Sequence, residues 1–274
     1  MPVVKKQSRR VAKQSRGNGV LGRIAPVSLD DRGIKMNVYG RSGTGKTTFA
    51  CTFPKPLLLI GTEDGTRSVH NLGKQGVDFV RLNQSDELAE LVAHVRDGDY
   101  YQTVVLDTAT MLQDMVLAEI LGLKELLVQK SWGVAKQQDW GQCGLQMKEH
   151  LRRLLDLPVN VVILAQEREF NNDTDSEVIE PFVASALTPS VVGFLNPACD
   201  YICQMYRRNK TEEKTSKIGK KEVTTKRRLK EVEYCLRTGP DATYATKFRV
   251  PKGTPLPEAV VDPDYDTVVS IIGE

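Results

Sequence analysis

The chain contains no run of about eighteen apolar residues, so nothing in it is expected to span a membrane. Its first residues are basic but lack the apolar stretch of a secretory signal. Histidine is scarce, with only His70, His94 and His150. Five cysteines are present, Cys51, Cys143, Cys199, Cys203 and Cys235, and no pair has C-x-x-C spacing. Together these exclude a recognisable zinc site. Cys199 and Cys203 flank Tyr201-Ile202 and read as small core residues. A reducing, cytoplasmic setting fits them. No internal repeat is visible. The two signs of charge nearly balance, at net +3, but their distribution does not. Lys5, Lys6, Arg9, Arg10, Lys13, Arg16 and Arg23 all precede the first acidic residue, Asp30. A second basic block runs over 207–230. Such blocks serve either as nucleic-acid contacts or as solvated tails and hairpins.

What is present reads as one α/β domain over 29–274, behind a basic and disordered tail over 1–28. Short segments at 35–39, 56–60, 78–82, 103–106, 160–165 and 200–205 are rich in Val, Ile and Leu, several without alternation. That is the pattern of parallel strands buried on both faces. Helical patterns at 85–96, 108–121 and 141–157 lie between them. Alternating strands and helices predict a mostly parallel central sheet with right-handed crossovers over about 33–206. The segments 201–208, 223–228 and 231–237 alternate around Lys-rich turn sequence and predict an appended antiparallel hairpin region over about 207–274. A further strand is expected at 244–250 and a short helix at 266–272.

Gly40-Arg41-Ser42-Gly43-Thr44-Gly45-Lys46-Thr47 fills every defined position of the Walker A pattern G-x-x-x-x-G-K-[ST]. Its glycines let successive N–H groups turn into one concavity that cradles phosphate oxygens. Lys46 is expected to reach the β- and γ-phosphates of ATP, and the Thr47 hydroxyl to ligate Mg²⁺. A strand enters the loop and Thr48-Phe49-Ala50 opens a helix, as an anion site requires. The apolar run Thr103-Val104-Val105-Leu106 ends in Asp107, the Walker B form, which would hold Mg²⁺ through water. A second apolar strand ends in Glu63-Asp64. Either acid could polarise the attacking water, and Asp64 also suits a cap on a helix at 66–72. A third ends in Gln166, placed to sense a γ-phosphate or simply to end a strand.

In this order, the four elements resemble the RecA-type P-loop NTPase core. The wording is closest to the phage-encoded RecA-like nucleotide-binding proteins of the single-strand-annealing and recombinase group. The resemblance rests on GRSGTGKTTFA, LLIGTEDG, VVLDTATML, an Asp139-Trp140-Gly141 turn before a long helix, VVILAQERE and TKFRVP, and covers about 33–272. It implies an ATPase that assembles on single-stranded DNA as a homo-oligomer, filament or ring, with ATP between subunits. A single-strand-binding protein is a candidate partner. It makes Glu63 the favoured catalytic carboxylate and Gln166 the switch. Lys247 and Arg249 would be the pair that reaches a neighbour's ATP. It places DNA against 168–190 and a shorter loop at 129–139. The stretch 167–180 is acidic, however, which is unusual for a phosphate contact. Its DNA electrostatics would have to come from the tail and the 207–230 block. Phe170 and Phe182 could stack on bases or pack in the fold.

Overall fold

A computed structural model describes residues 33–63, 75–123, 135–170, 182–218 and 221–273. The expected tail, Asp64, the helix at 66–72, most of the 129–139 loop and the middle of the 168–190 loop lie outside the described residues.

The central strands are β1 (Lys35–Tyr39), β2 (Leu57–Gly61), β3 (Val77–Arg81), β4 (Thr103–Asp107) and β5 (Asn160–Ala165). Between them run α1 (Lys46–Ala50), α2 (Glu87–Asp97), α3 (Ala109–Ile120) and α4 (Gln137–Leu155). There follow β6 (Glu167–Glu169), β7 (Val183–Ser185), α5 (Pro189–Ala198), β8 (Tyr201–Ile218), β9 (Lys221–Arg237), β10 (Lys247–Phe248), β11 (Ala259–Val261) and α6 (Tyr265–Ile272). Across the main sheet the order is β3-β2-β4-β5-β1-β8-β9-β11, with β10 also on β8. The pairings from β3 to β8 are parallel, and β9, β10 and β11 pair antiparallel. This is the mixed, mostly parallel α/β sheet with an antiparallel hairpin that the apolar runs imply.

Both faces of the sheet are covered, which is why its strands are apolar throughout rather than alternating. On one face Tyr39, Leu58, Ile60, Val104, Leu106 and Ile163 join the buried sides of α2, α3, α4 and α5. On the other, Met36, Val38, Leu57, Leu59, Val105 and Val162 pack against Phe49 and Phe53, and against Val268 and Ile272 of α6.

The structure adjusts several boundaries. β2 and β3 are each shifted by one residue from the expected spans, β2 later and β3 earlier, a difference the apolar pattern cannot resolve. The Asp139-Trp140-Gly141 turn is instead the first turn of α4. There the Asp139 carboxylate accepts from the Lys136 N–H at 2.7 Å and holds the helix start. The two separate segments expected at 223–228 and 231–237 are one strand. They pair with β8 on both sides of a register shift at Asn209/Thr211, which absorbs the break in alternation. Of the strand expected at 244–250 only Lys247–Phe248 pairs. Its upstream end, Tyr244, bridges Val183 instead. β8 is shared, parallel to β1 over Tyr201–Gln204 and antiparallel to β9 from Gln204 onward. The sheet therefore passes without interruption from its parallel part into the hairpin.

Candidate functional site

The loop between β1 and α1 bends back over the sheet edge, and close backbone approach explains its glycines. A Cβ on Gly40 would lie 2.1 Å from the Met205 carbonyl oxygen. Gly45 caps α1 at φ 88°, a left-handed conformation that L side chains rarely adopt. Thr44 Oγ1 donates to the Arg41 carbonyl at 2.9 Å and braces the turn. Lys46 is buried. Its ammonium donates to the Gly40 and Arg41 carbonyls at 2.8 and 2.9 Å and approaches Gln166 Oε1 at 3.5 Å. Burial holds its pKa below the ordinary lysine value, against the opposing pull of Asp107 and Glu167.

Thr47 Oγ1 donates to Asp107 Oδ2 at 2.7 Å. Asp107 does not sit on the strand next to β1, because β5 is inserted between β1 and β4. α1 packs over β5 and carries Thr47 across that gap. Burial raises the Asp107 pKa, while Thr47 and Lys46 act the other way. The Asp107–Thr108 peptide is cis. The Thr108 N–H donates to Thr62 Oγ1 at 3.0 Å, tying the ends of β4 and β2 together. One hydroxyl and one carboxylate form a hard oxygen pair that suits Mg²⁺, an ion that keeps several waters and takes its other ligands from phosphates. Among the described residues no group of three His, Cys, Asp or Glu is placed to hold a metal ion by itself.

A cavity of about 650 Å³ opens over this loop, a volume ordinary for a cofactor or nucleotide. Ser42, Gly43, Thr44, Gly45, Thr47 and Thr48 line its floor. Glu63, exposed beyond the end of β2, and Gln166, beyond the end of β5, line its walls. Gln166 is held from two sides. Its N–H donates to Thr110 Oγ1 at 3.0 Å, and its carbonyl accepts from the Ala186 N–H at 2.7 Å. It therefore joins the phosphate loop to β6 and β7, the two strands that flank the 170–182 segment. Phe182 is partly buried and packs against the main core.

Arg41 turns away from the cavity floor. Its side chain, 79 % exposed, donates to Glu167 at 2.7 Å. The other Glu167 oxygen accepts from Gln204 at 3.0 Å, and Gln204 Oε1 accepts from Arg237 at 3.1 Å. Arg237 pairs with Asp241 at 2.6 Å and lies over the Tyr206 and Tyr244 rings. This chain of contacts runs from the phosphate loop to the base of the hairpin. Sequence reasoning missed Glu167, Gln204 and Arg237 in that role. The one legible signal was Gln204, a buried polar side chain within the apolar run 201–206.

Lys247 and Arg249 are not brought to the chain's own phosphate loop. β10 pairs with the start of β8, at Tyr201 and Ile202. The Lys247 ammonium donates to the carbonyls of Asn196, Pro197 and Cys199 at 3.0, 3.1 and 2.7 Å, at the C-terminal end of α5. Arg249 pairs with Asp200 beside it. Cations at a helix C-terminus satisfy its orphan carbonyls and suit its dipole.

All five cysteines are free and buried. Among the described residues no helix is long and apolar enough to cross a membrane. No curated protein matches the chain. Residues 32–250 match the family model described as AAA domain, which spans most of the sequence and every site element above. The chain belongs to the AAA domain family and is a P-loop ATPase of the AAA type.

Proposed function

We propose that the chain is an ATP-hydrolysing RecA-like recombinase, akin to the phage-encoded group, that assembles with copies of itself on single-stranded DNA and promotes annealing or recombination. The observation that carries this is the convergence on one cavity of Lys46, the Thr47–Asp107 pair, Glu63 and Gln166, with Gln166, just before β6, bonded to Ala186 just after β7, at the outer ends of the two strands that flank the 170–182 segment. On this reading the loop N–H groups and Lys46 bind the β- and γ-phosphates, and Thr47 with Asp107 holds Mg²⁺. Bound Mg²⁺ supplies charge neutralisation along the phosphates. Glu63 orients the attacking water and takes its proton. Gln166 reads the γ-phosphate and passes its presence to β6 and β7. Lys247 and Arg249 would exchange the α5 carbonyls and Asp200 for a neighbour's phosphates on assembly. The basic tail and the 207–230 block would meet the DNA backbone.

Steady-state ATP hydrolysis with and without single-stranded DNA, at low and moderate salt, tests the proposal. Stimulation that fades with salt supports it, because phosphate contacts release counterions. Hydrolysis indifferent to DNA points instead to a nucleotide-dependent regulator of a protein partner, a reading favoured by the acidic stretch 167–180. Absence of hydrolysis under both conditions overturns it.

A further inference from the structure

The contacts assigned so far account for only one end of the cavity. Asp107 ends β4, and Glu63 and Gln166 stand just beyond β2 and β5, on one side of the phosphate loop. On the other side the cavity continues past β1 and β8 to β9 and the turn after β11, where Tyr234, Asp262 and Pro263 line it. From β4 to β9 is four strand spacings, roughly 19 Å at about 4.8 Å each. Phosphates held at Lys46 and Thr47, with the γ end toward Asp107 and Glu63, leave the rest of a nucleotide to run toward this second wall.

That wall carries an aromatic ring beside the loop. A Cβ on Gly45 would lie 3.4 Å from Tyr234 Cδ1 and 3.4 Å from Met205 Cε. Tyr234 is nonetheless 40 % exposed, so the ring is not consumed by packing. Its backbone is fixed. The Tyr234 carbonyl accepts from the Asp262 N–H at 2.7 Å, and Asp262 has φ 47°, a conformation that non-glycine residues rarely adopt. The turn after β11 leads into α6, whose first residue is tied to the segment just after α1: the Tyr265 N–H donates to Thr52 Oγ1 at 2.9 Å and the Tyr265 ring meets Phe53 at 5.1 Å. An exposed ring on a fixed backbone, touching the phosphate loop, is the form of a stacking platform.

We infer that Tyr234 is the platform on which the nucleobase of the bound nucleotide stacks, a base-binding residue supplied by the hairpin of the same chain. The inference rests on the phosphate-loop reading and extends it to the base. It also gives the base of the hairpin a direct contact with the nucleotide.

The test is calorimetric titration of the full chain with Mg²⁺-ATP and, separately, with Mg²⁺-tripolyphosphate, which has no base. Tyr234→Ala should weaken ATP by roughly 5- to 150-fold, the effect of losing one base–aromatic stack, and leave tripolyphosphate unchanged. Tyr234→Phe should retain ATP affinity. Tyr234→Trp should show indole emission, beyond that of Trp132 and Trp140, that ATP changes and tripolyphosphate does not. Equal loss of both ligands in Tyr234→Ala would mean that the ring only props Gly45, and would overturn the inference. So would an ATP affinity unchanged by Tyr234→Ala. A wild-type chain that binds neither ligand would overturn the phosphate-loop reading itself, and the base platform with it.

Discussion

Asp114 on α3 is half-buried, and desolvation alone pushes its pKa from 3.8 up to about 6. The opposing group is Cys143, whose thiol is itself pushed up to about 12 and is neutral at working pH. A folded-state pKa above the unfolded value means that the folded chain holds the proton more tightly. Stability is therefore greatest at low pH on this account and falls as pH rises from about 4 to about 6. Above about pH 7 the full cost of the buried charge is present. A rise of about two pH units corresponds to about 3 kcal/mol at most. Asp114 is partly reached by solvent, which screens it, and about 1–2 kcal/mol is the expected cost. Asp114→Asn keeps the shape and removes the charge. At pH 8 it should raise the melting temperature by about 2–8 °C, at about 2–4 °C per kcal/mol for a domain of this size. At pH 4.5 the gain should shrink to about a third to a half of its pH 8 value. Thermal melts by circular dichroism at the two pH values are the assay. An equal gain at both would refute the ionisation argument, and a loss at pH 8 would mean that the carboxylate has a stabilising partner.

The remaining expectations concern the site. Glu63→Gln should bind Mg²⁺-ATP normally and lose about 10²- to 10⁴-fold in turnover; normal hydrolysis there, with loss in Asp64→Asn, would transfer the role to Asp64. Lys46→Ala should abolish ATP binding by calorimetry, and retained affinity would sink the phosphate-loop assignment. Because Lys46 also bridges the Gly40 and Arg41 carbonyls, the same change should slightly lower the melting temperature. Lys247→Ala should lower stability by about 1–2 kcal/mol, because three carbonyls at the end of α5 lose a charged donor. Mixing it with Lys46→Ala chains then asks about a second role: activity above the sum of the separate mutants places Lys247 at a neighbour's ATP, and its absence in co-assembled chains confines Lys247 to its own fold.

Much of this protein is determined by local chemistry that a sequence displays. The short apolar runs within 103–106 and 160–165 have the length and the Val/Ile/Leu content of strands covered on both faces, and each is observed so. The glycine spacing of 40–47, with a strand before it and a helix after it, marks a phosphate-loop turn in the sequence, because glycine reaches backbone conformations that side chains disfavour. Contacts between residues distant in sequence were decided by tertiary structure alone. Asp107 reaches Thr47 across an inserted strand, a fact that depends on strand order rather than on either segment. Arg41 meets Glu167, and Gln204 meets both Glu167 and Arg237, because β8 lies beside β1 and folds back on β9. Tyr234 looks like any strand residue in Glu231–Arg237, and only that same fold-back sets its ring against Gly45. Lys247 reads as one of two alternating cations until β10 docks on β8 and aims it at the end of α5. Local propensity is written in neighbouring residues, whereas a site assembled from several strands is written only in their order.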